Sequence, residues 1–118
     1  MGVTVLLADD HRLFTLGIKK ILTLLPEFEC VGTVENGKEV LLFLEKNNKV
    51  DILVLDLNMP IMSGMQVLSY LERHYPDLKK LVLSSEHTQS AMGGCKNLGA
   101  HVFIGKDSCF EKFREALD

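Results

Sequence analysis

The sequence lacks the segments that mark several other classes of protein. No stretch approaches the roughly 20 apolar residues of a membrane-spanning helix, and the opening MGVTVLLADDH becomes charged too early for a signal peptide. No run of lysine or arginine is present, and the net charge is −3. Because phosphate backbones need a clustered basic surface, this segment is not expected to bind nucleic acid. We expect a cytoplasmic protein without membrane contact.

Cysteine pairs are missing as well. The three cysteines, Cys30, Cys95 and Cys109, are far apart and form no C-x-x-C motif. An odd number at such spacings does not fit a disulfide framework or a structural zinc site. We interpret them as reduced thiols at packing positions.

The composition is that of one soluble domain. The 118 residues are 47% hydrophobic and 25% charged, close to the averages for globular proteins, so neither disorder nor low complexity is expected. A domain of this length buries about two thirds of the surface that its unfolded chain exposes. The chain is therefore long enough to build a real core.

Five short apolar runs have the length and the Val, Leu and Ile content of β-strands. The second is the most mixed, which suits an edge strand, whereas the first, third and fourth are the most apolar and should be central. The runs are VTVLLA (3 to 8), ECVGTV (29 to 34), DILVLD (51 to 56), KLVLSS (80 to 85) and HVFIG (101 to 105).

Helical patterns lie between these runs. The first has one apolar stripe that Pro26 ends, and the fourth, TQSAMGGCKNLG, contains Gly93 and Gly94. Each glycine costs a helix about 1 kcal/mol relative to alanine, so we predict a mobile or irregular fourth helix. The apolar stripes of the first, second, third and fifth predicted helices are, in that order, Phe14, Ile18, Ile21 and Leu25; Val40, Leu41 and Leu44; Val67, Leu68 and Leu71; and Phe110, Phe113 and Leu117.

Strict alternation of apolar strands and helices predicts an α/β domain. Near-continuous hydrophobic strands are typical of a parallel sheet that helices cover on both faces, with right-handed crossovers. In such a sheet all strands end at one edge, where ligands bind. The polar residues at the predicted strand ends are Asp9 and Asp10, Asp56, Ser84 and Ser85, and Lys106.

Each of these residues also has a purely structural explanation. Asp10 can cap the first helix, and Asp56 and Asn58 can belong to a turn. The two serines can form an ordinary strand-end turn, and Lys106 can be a solvated surface charge. Only their joint occurrence at one edge favours a functional site.

Three converging acids favour a cation. Two carboxylates about 4 Å apart repel by about 4 kcal/mol at an effective dielectric constant of 20, so they do not stabilise a fold by themselves. Oxygen ligands without an accompanying set of Cys or His ligands favour Mg²⁺ or Mn²⁺ over zinc. With Lys106 and a hydroxyl group nearby, the site suits a phosphoryl group, whose transfer needs positioning and charge neutralisation.

The segments LLADDH, LDLNMPIMSGMQVL, LVLSS and GAHVFIGK occupy the ends of the first, third, fourth and fifth predicted strands. Together they resemble the receiver domain of bacterial two-component response regulators, over essentially the whole chain. The resemblance implies a flavodoxin-like (CheY-like), doubly wound five-stranded parallel sheet with strand order 2-1-3-4-5. It also implies a phosphorylation-dependent signalling switch that takes part in its own phosphotransfer and dephosphorylation, and not a separate enzyme.

The resemblance assigns roles to four residues around a Mg²⁺ ion, for which Mn²⁺ is an alternative. Asp56 is the phosphoacceptor and attacks a phosphohistidine of a sensor histidine kinase or phosphotransfer protein. Asp56 is also a metal ligand, as are Asp10 directly and Asp9 through a water molecule. Asn58 contributes its backbone carbonyl.

Further residues are implied in charge stabilisation and switching. Lys106 pairs with a phosphoryl oxygen, and Ser84 supplies the switch hydroxyl. Phe103 occupies the aromatic switch position, although the fifth strand needs a core residue there in any case. Asn58 and Glu86, each two residues beyond a site residue, are expected to tune the lifetime of the phosphoaspartate.

The segments DDHRLFTLG and KDS are similar to the LuxR/NarL-like class, whose receivers precede a C-terminal helix-turn-helix domain. We therefore expect residues 1–118 to be the receiver of a longer transcription regulator, with a natural stand-alone receiver as the alternative. The DNA-binding domain is absent from this chain. Phosphorylation is expected to change the face of the fourth helix, fifth strand and fifth helix and to favour a homodimer.

The sequence departs from the family in three places. Ser84 stands where threonine is commoner, Ser85 replaces the usual alanine, and Asp107 follows Lys106 where many receivers have proline. A non-proline cis bond costs about 3 kcal/mol, which puts in doubt the cis peptide often found after the lysine.

Three alternative functions each require a sequence feature that differs from this chain. A haloacid dehalogenase-type hydrolase needs an acid two residues after its nucleophile, where this chain has Asn58. A receiver that binds a partner without phosphorylation would lack one of the acids or Lys106, and a flavin carrier would need a phosphate-binding loop where this chain has Asp9 and Asp10.

Overall fold

The computed structural model describes residues 2–47, 49–85, 89–106 and Glu115. Within these residues, strands and helices alternate as the sequence predicts. The strands are β1 (Val3–Ala8), β2 (Phe28–Val34), β3 (Ile52–Asp56), β4 (Lys79–Ser84) and β5 (Val102–Gly105), and the helices are α1 (Arg12–Thr23), α2 (Gly37–Asn47), α3 (Gly64–His74) and α4 (Gln89–Asn97).

The five strands form one parallel sheet in the order β2-β1-β3-β4-β5. This confirms the predicted fold class, the strand order and the position of β2 at an edge. The strands β1, β3 and β4 are central because their side chains are buried in near-continuous runs, while β2 exposes Glu29 and Thr33.

Successive residues of each central strand pack into two different core layers. In β3, Leu53 and Leu55 belong to the layer that contains residues of α2, α3 and α4, whereas Val54 belongs to the layer that contains residues of α1. This follows from the two-residue period of a strand, which sends alternate side chains to opposite faces. The sheet is thereby held from both sides.

The start of α3 is fixed against the end of β3. Ser63 Oγ accepts a hydrogen bond from the Gln66 backbone N–H, and Gln66 Oε1 accepts one from the Ser63 N–H, which forms a capping box. At Gly64, an added Cβ would lie 2.6 Å from both Asp56 O and Leu57 Cα. Only glycine permits this approach, which sets the backbone immediately after Asp56.

Two helical predictions need comment. The stripe of the first helix extends to Leu25, but α1 ends at Thr23 and Leu25 is buried beyond it. Helix α4 runs through Gly93 and Gly94 without interruption, so the expected irregularity is not seen, while its mobility stays a prediction. Outside the described residues lie the fifth helical stripe, Glu86, Asp107 and Cys109. Among the described residues, Cys30 and Cys95 are free thiols.

The described helices are all too short or too polar to cross a lipid bilayer.

Candidate functional site

Three polar side chains from three different strand ends meet at the carboxyl edge of the sheet. Asp9 follows β1, Asp56 ends the neighbouring β3, and Lys106 follows β5. Lys106 Nζ lies 2.8 Å from Asp9 Oδ2 and 3.5 Å from Asp56 Oδ2. The predicted convergence of these residues is therefore observed, and it arises because parallel strands end on the same side.

The two carboxylates are buried and short of hydrogen-bond donors. The side chains of Asp56 and Asp9 are 1% and 7% exposed, whereas that of Asp10 is 39% exposed. Asp56 Oδ1 accepts a hydrogen bond of 3.3 Å from the Asn58 backbone N–H. The Oδ2 atoms of Asp56 and Asp9 accept no well-directed hydrogen bond within the described structure, although Lys106 is close to both. Buried carboxylate oxygens are costly without positive charge, and here the single ammonium charge of Lys106 lies beside two of them.

The pKa of Asp56 is raised from 3.8 to about 6. Burial is the largest cause because it disfavours the charged form, and the neighbouring Asp9 charge adds to it. Lys106 and the Asn58 N–H act in the opposite direction but do not compensate. At neutral pH the carboxylate is thus mostly ionised at an energetic cost, a condition that a positive partner relieves.

Lys106 is itself held in place by contacts on two sides. Its side chain is 13% exposed, and Nζ lies 4.6 Å from the centroid of the Phe14 ring on α1. A cation over an aromatic face is attracted by the ring's electrons. Nζ also lies 3.0 Å from His11 Nδ1. Lys106 is therefore not the freely solvated surface lysine that the sequence left open as an alternative.

His11 is a member of the site that the sequence reasoning did not include. Its Nδ1 lies 3.1 Å from Asp9 Oδ1, 3.7 Å from Asp10 Oδ1 and 4.0 Å from Asp56 Oδ2. Its backbone N–H donates a hydrogen bond of 2.9 Å to Asp9 Oδ1. The available signal was its position, directly after the two acids. His11 is also the N-cap residue of α1, which has no side-chain cap, so capping does not explain Asp10.

The residues present fit a divalent cation. Asp9, Asp10, His11 and Asp56 each offer a ligand atom, and these atoms all lie within 4.8 Å of one another. With two buried, orphaned carboxylate oxygens among the donors, the pocket is compatible with Mg²⁺.

The remaining predicted residues lie around this pocket. Ser84 is fully buried, ends β4 and pairs in register with Gly105, which precedes Lys106. Phe103 is partly buried and packs in the same core layer as its register partner Val82. Because Ser84 lies two residues after Val82, its side chain points to that face too. Asn58 is exposed, and its backbone N–H donates the hydrogen bond to Asp56 Oδ1.

Residues 5–118 match the family model of the response regulator receiver domain. The chain belongs to this family. It is 35% identical over 115 residues to the transcriptional regulatory protein DegU of Brevibacillus brevis, covering 98% of this chain and 48% of DegU. The receiver domain therefore spans about half the length of that curated relative.

Solved receiver structures agree with the fold. The receiver domain of the response regulator NarL from Mycobacterium tuberculosis has a TM-score of 0.89 and 29% identity, covering 98% of this chain and 93% of that one. RcsB of Salmonella enterica, bound to the promoter rprA with the phosphomimetic BeF₃⁻, has a TM-score of 0.90 and 26% identity, covering 99% of this receiver and 66% of the RcsB chain.

Proposed function

We propose that Asp56 accepts a phosphoryl group from a phosphohistidine and that this modification switches the signalling state of the receiver. The observation that carries the proposal is the buried Asp56 carboxylate, whose Oδ2 accepts no well-directed hydrogen bond while Lys106 Nζ lies 3.5 Å away. An oxygen with an unused lone pair, beside a positive charge, is poised to form a bond to phosphorus. A purely structural aspartate would have its oxygens satisfied.

The chemistry needs little from the protein beyond position and charge. Asp56 Oδ2 forms the new P–O bond as the P–N bond of the phosphohistidine breaks, and the imidazole leaves with the electron pair. Lys106 pairs with a phosphoryl oxygen and so stabilises the negative charge that develops. Asp9, Asp10, Asp56 and the Asn58 carbonyl would hold Mg²⁺, which when bound neutralises charge on the phosphoryl oxygens and the carboxylates.

Phosphorylation is proposed to change the structure through Ser84 and Phe103. Ser84 moves so that its hydroxyl donates a hydrogen bond to a phosphoryl oxygen. Phe103 then turns inward into the space that Ser84 has left. The two side chains lie on the same face of the sheet, so a movement of one directly affects the room available to the other. The phosphoryl group shifts this equilibrium only by its different interaction with the two states.

The output surface proposed here is formed by α4, β5 and the segment that follows β5. Met92 and Phe103 line an open groove between α4 and β5, together with Lys96 and His101. We propose that phosphorylation favours a homodimer through this surface. The phosphodonor is a sensor histidine kinase or a phosphotransfer protein, and Asn58 and Glu86 tune the lifetime of the phosphoaspartate.

Control of transcription is proposed for the whole protein, with residues 1–118 as its receiver. DegU is a transcriptional regulatory protein, and the RcsB structure is a promoter complex with a phosphomimetic. Both support an output at DNA, for which we propose a C-terminal helix-turn-helix domain. A hydrolase of the haloacid dehalogenase type is disfavoured because the exposed Asn58 amide cannot serve as its general acid.

Intact mass spectrometry after incubation with Mg²⁺ and a small phosphodonor tests the proposal. One added phosphoryl group is expected, and it should be absent without Mg²⁺ and in Asp56→Asn. The matched control is Asp51→Asn, which changes an aspartate at the opposite end of β3 and should leave the adduct unchanged. An equal adduct in Asp56→Asn would rule out Asp56 as the acceptor, and steady turnover of a phosphorylated metabolite would favour the hydrolase.

A further inference from the structure

The cation pocket contains one nitrogen donor in addition to its carboxylates. We propose that His11 is a direct ligand in this pocket and gives it a preference for late first-row divalent ions such as Ni²⁺ and Zn²⁺ over Mg²⁺. The inference rests on the cation site of the proposed function. It adds a ligand and a metal preference to that site.

The distances around His11 match those between ligands of one metal ion. At bond lengths of about 2.1 Å, adjacent donor atoms lie about 3.0 Å apart at a right angle, about 3.4 Å apart at a tetrahedral angle and about 4.2 Å apart when opposite. The Nδ1 atom lies 3.1 Å from Asp9 Oδ1, 3.7 Å from Asp10 Oδ1 and 4.0 Å from Asp56 Oδ2. The imidazole therefore reaches the pocket without a large movement.

A second observation points to a cation between these atoms. The Asp56 side chain is only 1% exposed, and its Oδ2 has no well-directed hydrogen bond although it faces Nδ1 across 4.0 Å. A buried anionic oxygen in that state requires a positive partner. Lys106 supplies part of the charge, but its Nζ lies closer to Asp9, at 2.8 Å, than to Asp56, at 3.5 Å.

The orientation of the His11 ring is set by its surroundings. The backbone N–H of His11 is tied to Asp9 Oδ1 by a hydrogen bond of 2.9 Å, which fixes the start of α1 against the acids. Lys106 Nζ lies 3.0 Å from Nδ1, and an ammonium group only donates, so in the tautomer without a proton on Nδ1 this nitrogen accepts and its lone pair faces the pocket. A metal ion would take the place of the ammonium group at Nδ1.

An imidazole nitrogen changes which ions the pocket favours. Mg²⁺ prefers oxygen ligands and keeps several waters, so it gains little from a nitrogen. Affinity for nitrogen donors rises from Mn²⁺ through Co²⁺ and Ni²⁺ to Cu²⁺, and Zn²⁺ also binds imidazole well. The same pocket is then expected to bind Mg²⁺ weakly through its carboxylates and Ni²⁺ more tightly through carboxylates and His11.

Isothermal titration calorimetry of the 118-residue protein with NiCl₂ and with MgCl₂ tests the role of His11 in this ion preference. His11→Gln is expected to weaken Ni²⁺ binding by about tenfold or more, while Mg²⁺ binding changes by less than about threefold. The variant should fold normally because the His11 side chain is 63% exposed, and circular dichroism checks this. His74→Gln is the matched control: His74 is exposed, stacks on Tyr70 and should have no effect.

Pulsed electron paramagnetic resonance of bound Cu²⁺, the ion of this series with the highest affinity for nitrogen donors, gives a direct readout of the ligand. An imidazole nitrogen coupling is expected in the unchanged protein and in His74→Gln, and it should disappear in His11→Gln. Absence of the coupling from the unchanged protein, or Ni²⁺ affinity that is the same in His11→Gln, would overturn the inference. If Asp56→Asn left both Mg²⁺ and Ni²⁺ binding intact, the cation site of the proposed function would itself be wrong.

Discussion

Replacing Asp56 by asparagine is expected to stabilise the protein in the absence of divalent cations. Asparagine has nearly the shape of aspartate and stands in for its neutral form. The folded protein disfavours the charged form, because burial and the Asp9 charge together outweigh Lys106 and raise the pKa of Asp56 from 3.8 to about 6. Removing the charge should therefore relieve a cost that the native fold carries at neutral pH.

The size and sign follow from linkage between protonation and folding. Protonation of Asp56 favours the folded state, so its contribution is fully present below about pH 3.8 and is lost as the pH rises through about 6. The shift of about two pKa units corresponds to about 3 kcal/mol at pH 7, roughly half that at pH 5 and below about 1 kcal/mol at pH 4. The advantage of Asp56→Asn in free energy of unfolding should follow this curve.

Urea unfolding in EDTA, followed by circular dichroism at several pH values, measures the difference. Far-UV circular dichroism is suitable because the chain contains no tryptophan. Adding Mg²⁺ at about ten times its dissociation constant should stabilise the unchanged protein by about 1.4 kcal/mol. The gain should be smaller in Asp56→Asn, which has lost one of the ligands.

Asp51→Asn is the control of opposite sign. Asp51 Oδ2 accepts hydrogen bonds from the backbone N–H and the hydroxyl of Thr4, and the backbone hydrogen bond is the largest cause of its lowered pKa. Its contribution is therefore present above the ordinary pKa and lost in acid, so Asp51→Asn should destabilise the protein at pH 7. Equal stability of Asp56→Asn and the unchanged protein at pH 7, or a difference that grows towards pH 4, would refute the reasoning.

Four further substitutions test other parts of the structure. Gly64→Ala should cost about 1 to 3 kcal/mol in urea unfolding, because the new Cβ meets the backbone of Asp56 at 2.6 Å, whereas Gly93→Ala, in open space on α4, should gain about 0.5 to 1 kcal/mol. Lys106→Met should move the Asp56 titration, measured by carboxyl ¹³C NMR, above pH 6, because Lys106 lowers that pKa. Leu53→Ala, at a fully buried β3 position, should cost about 2 to 5 kcal/mol with the same urea assay, and a loss below 1 kcal/mol would show that its layer is loosely packed.

The strands were predictable because burial on both faces leaves a local trace. A strand covered by helices on both sides carries a continuous apolar run, and β1, β3 and β4 each do so. The mixed residues of β2 likewise indicated an edge. Helix ends were less predictable: the α1 stripe continues to Leu25 although the helix stops at Thr23, since a buried residue is apolar whether or not it is helical.

Membership of the site was predictable only in part. The chain order of acids, hydroxyl and lysine at strand ends was enough to place Asp9, Asp56 and Lys106 at one edge, because the parallel sheet determines which ends meet. The position of His11 directly after Asp9 and Asp10 was the available local signal, but a histidine at the start of a helix is not by itself evidence of a site. Its place became evident only from the distances to Asp9 and Asp56.

The sequence by itself determined the order of strands and helices, the parallel sheet and the edge at which the acids gather, since these depend on periodicity and on chain connectivity. The tertiary structure alone decided which carboxylate oxygens lack a well-directed hydrogen bond, how far the Asp56 pKa rises and which side chains Lys106 contacts. Those properties depend on differences of about 1 Å between groups from β1, β3 and β5. Electrostatic energy in a buried pocket changes strongly over such distances, and no pattern in the sequence records them.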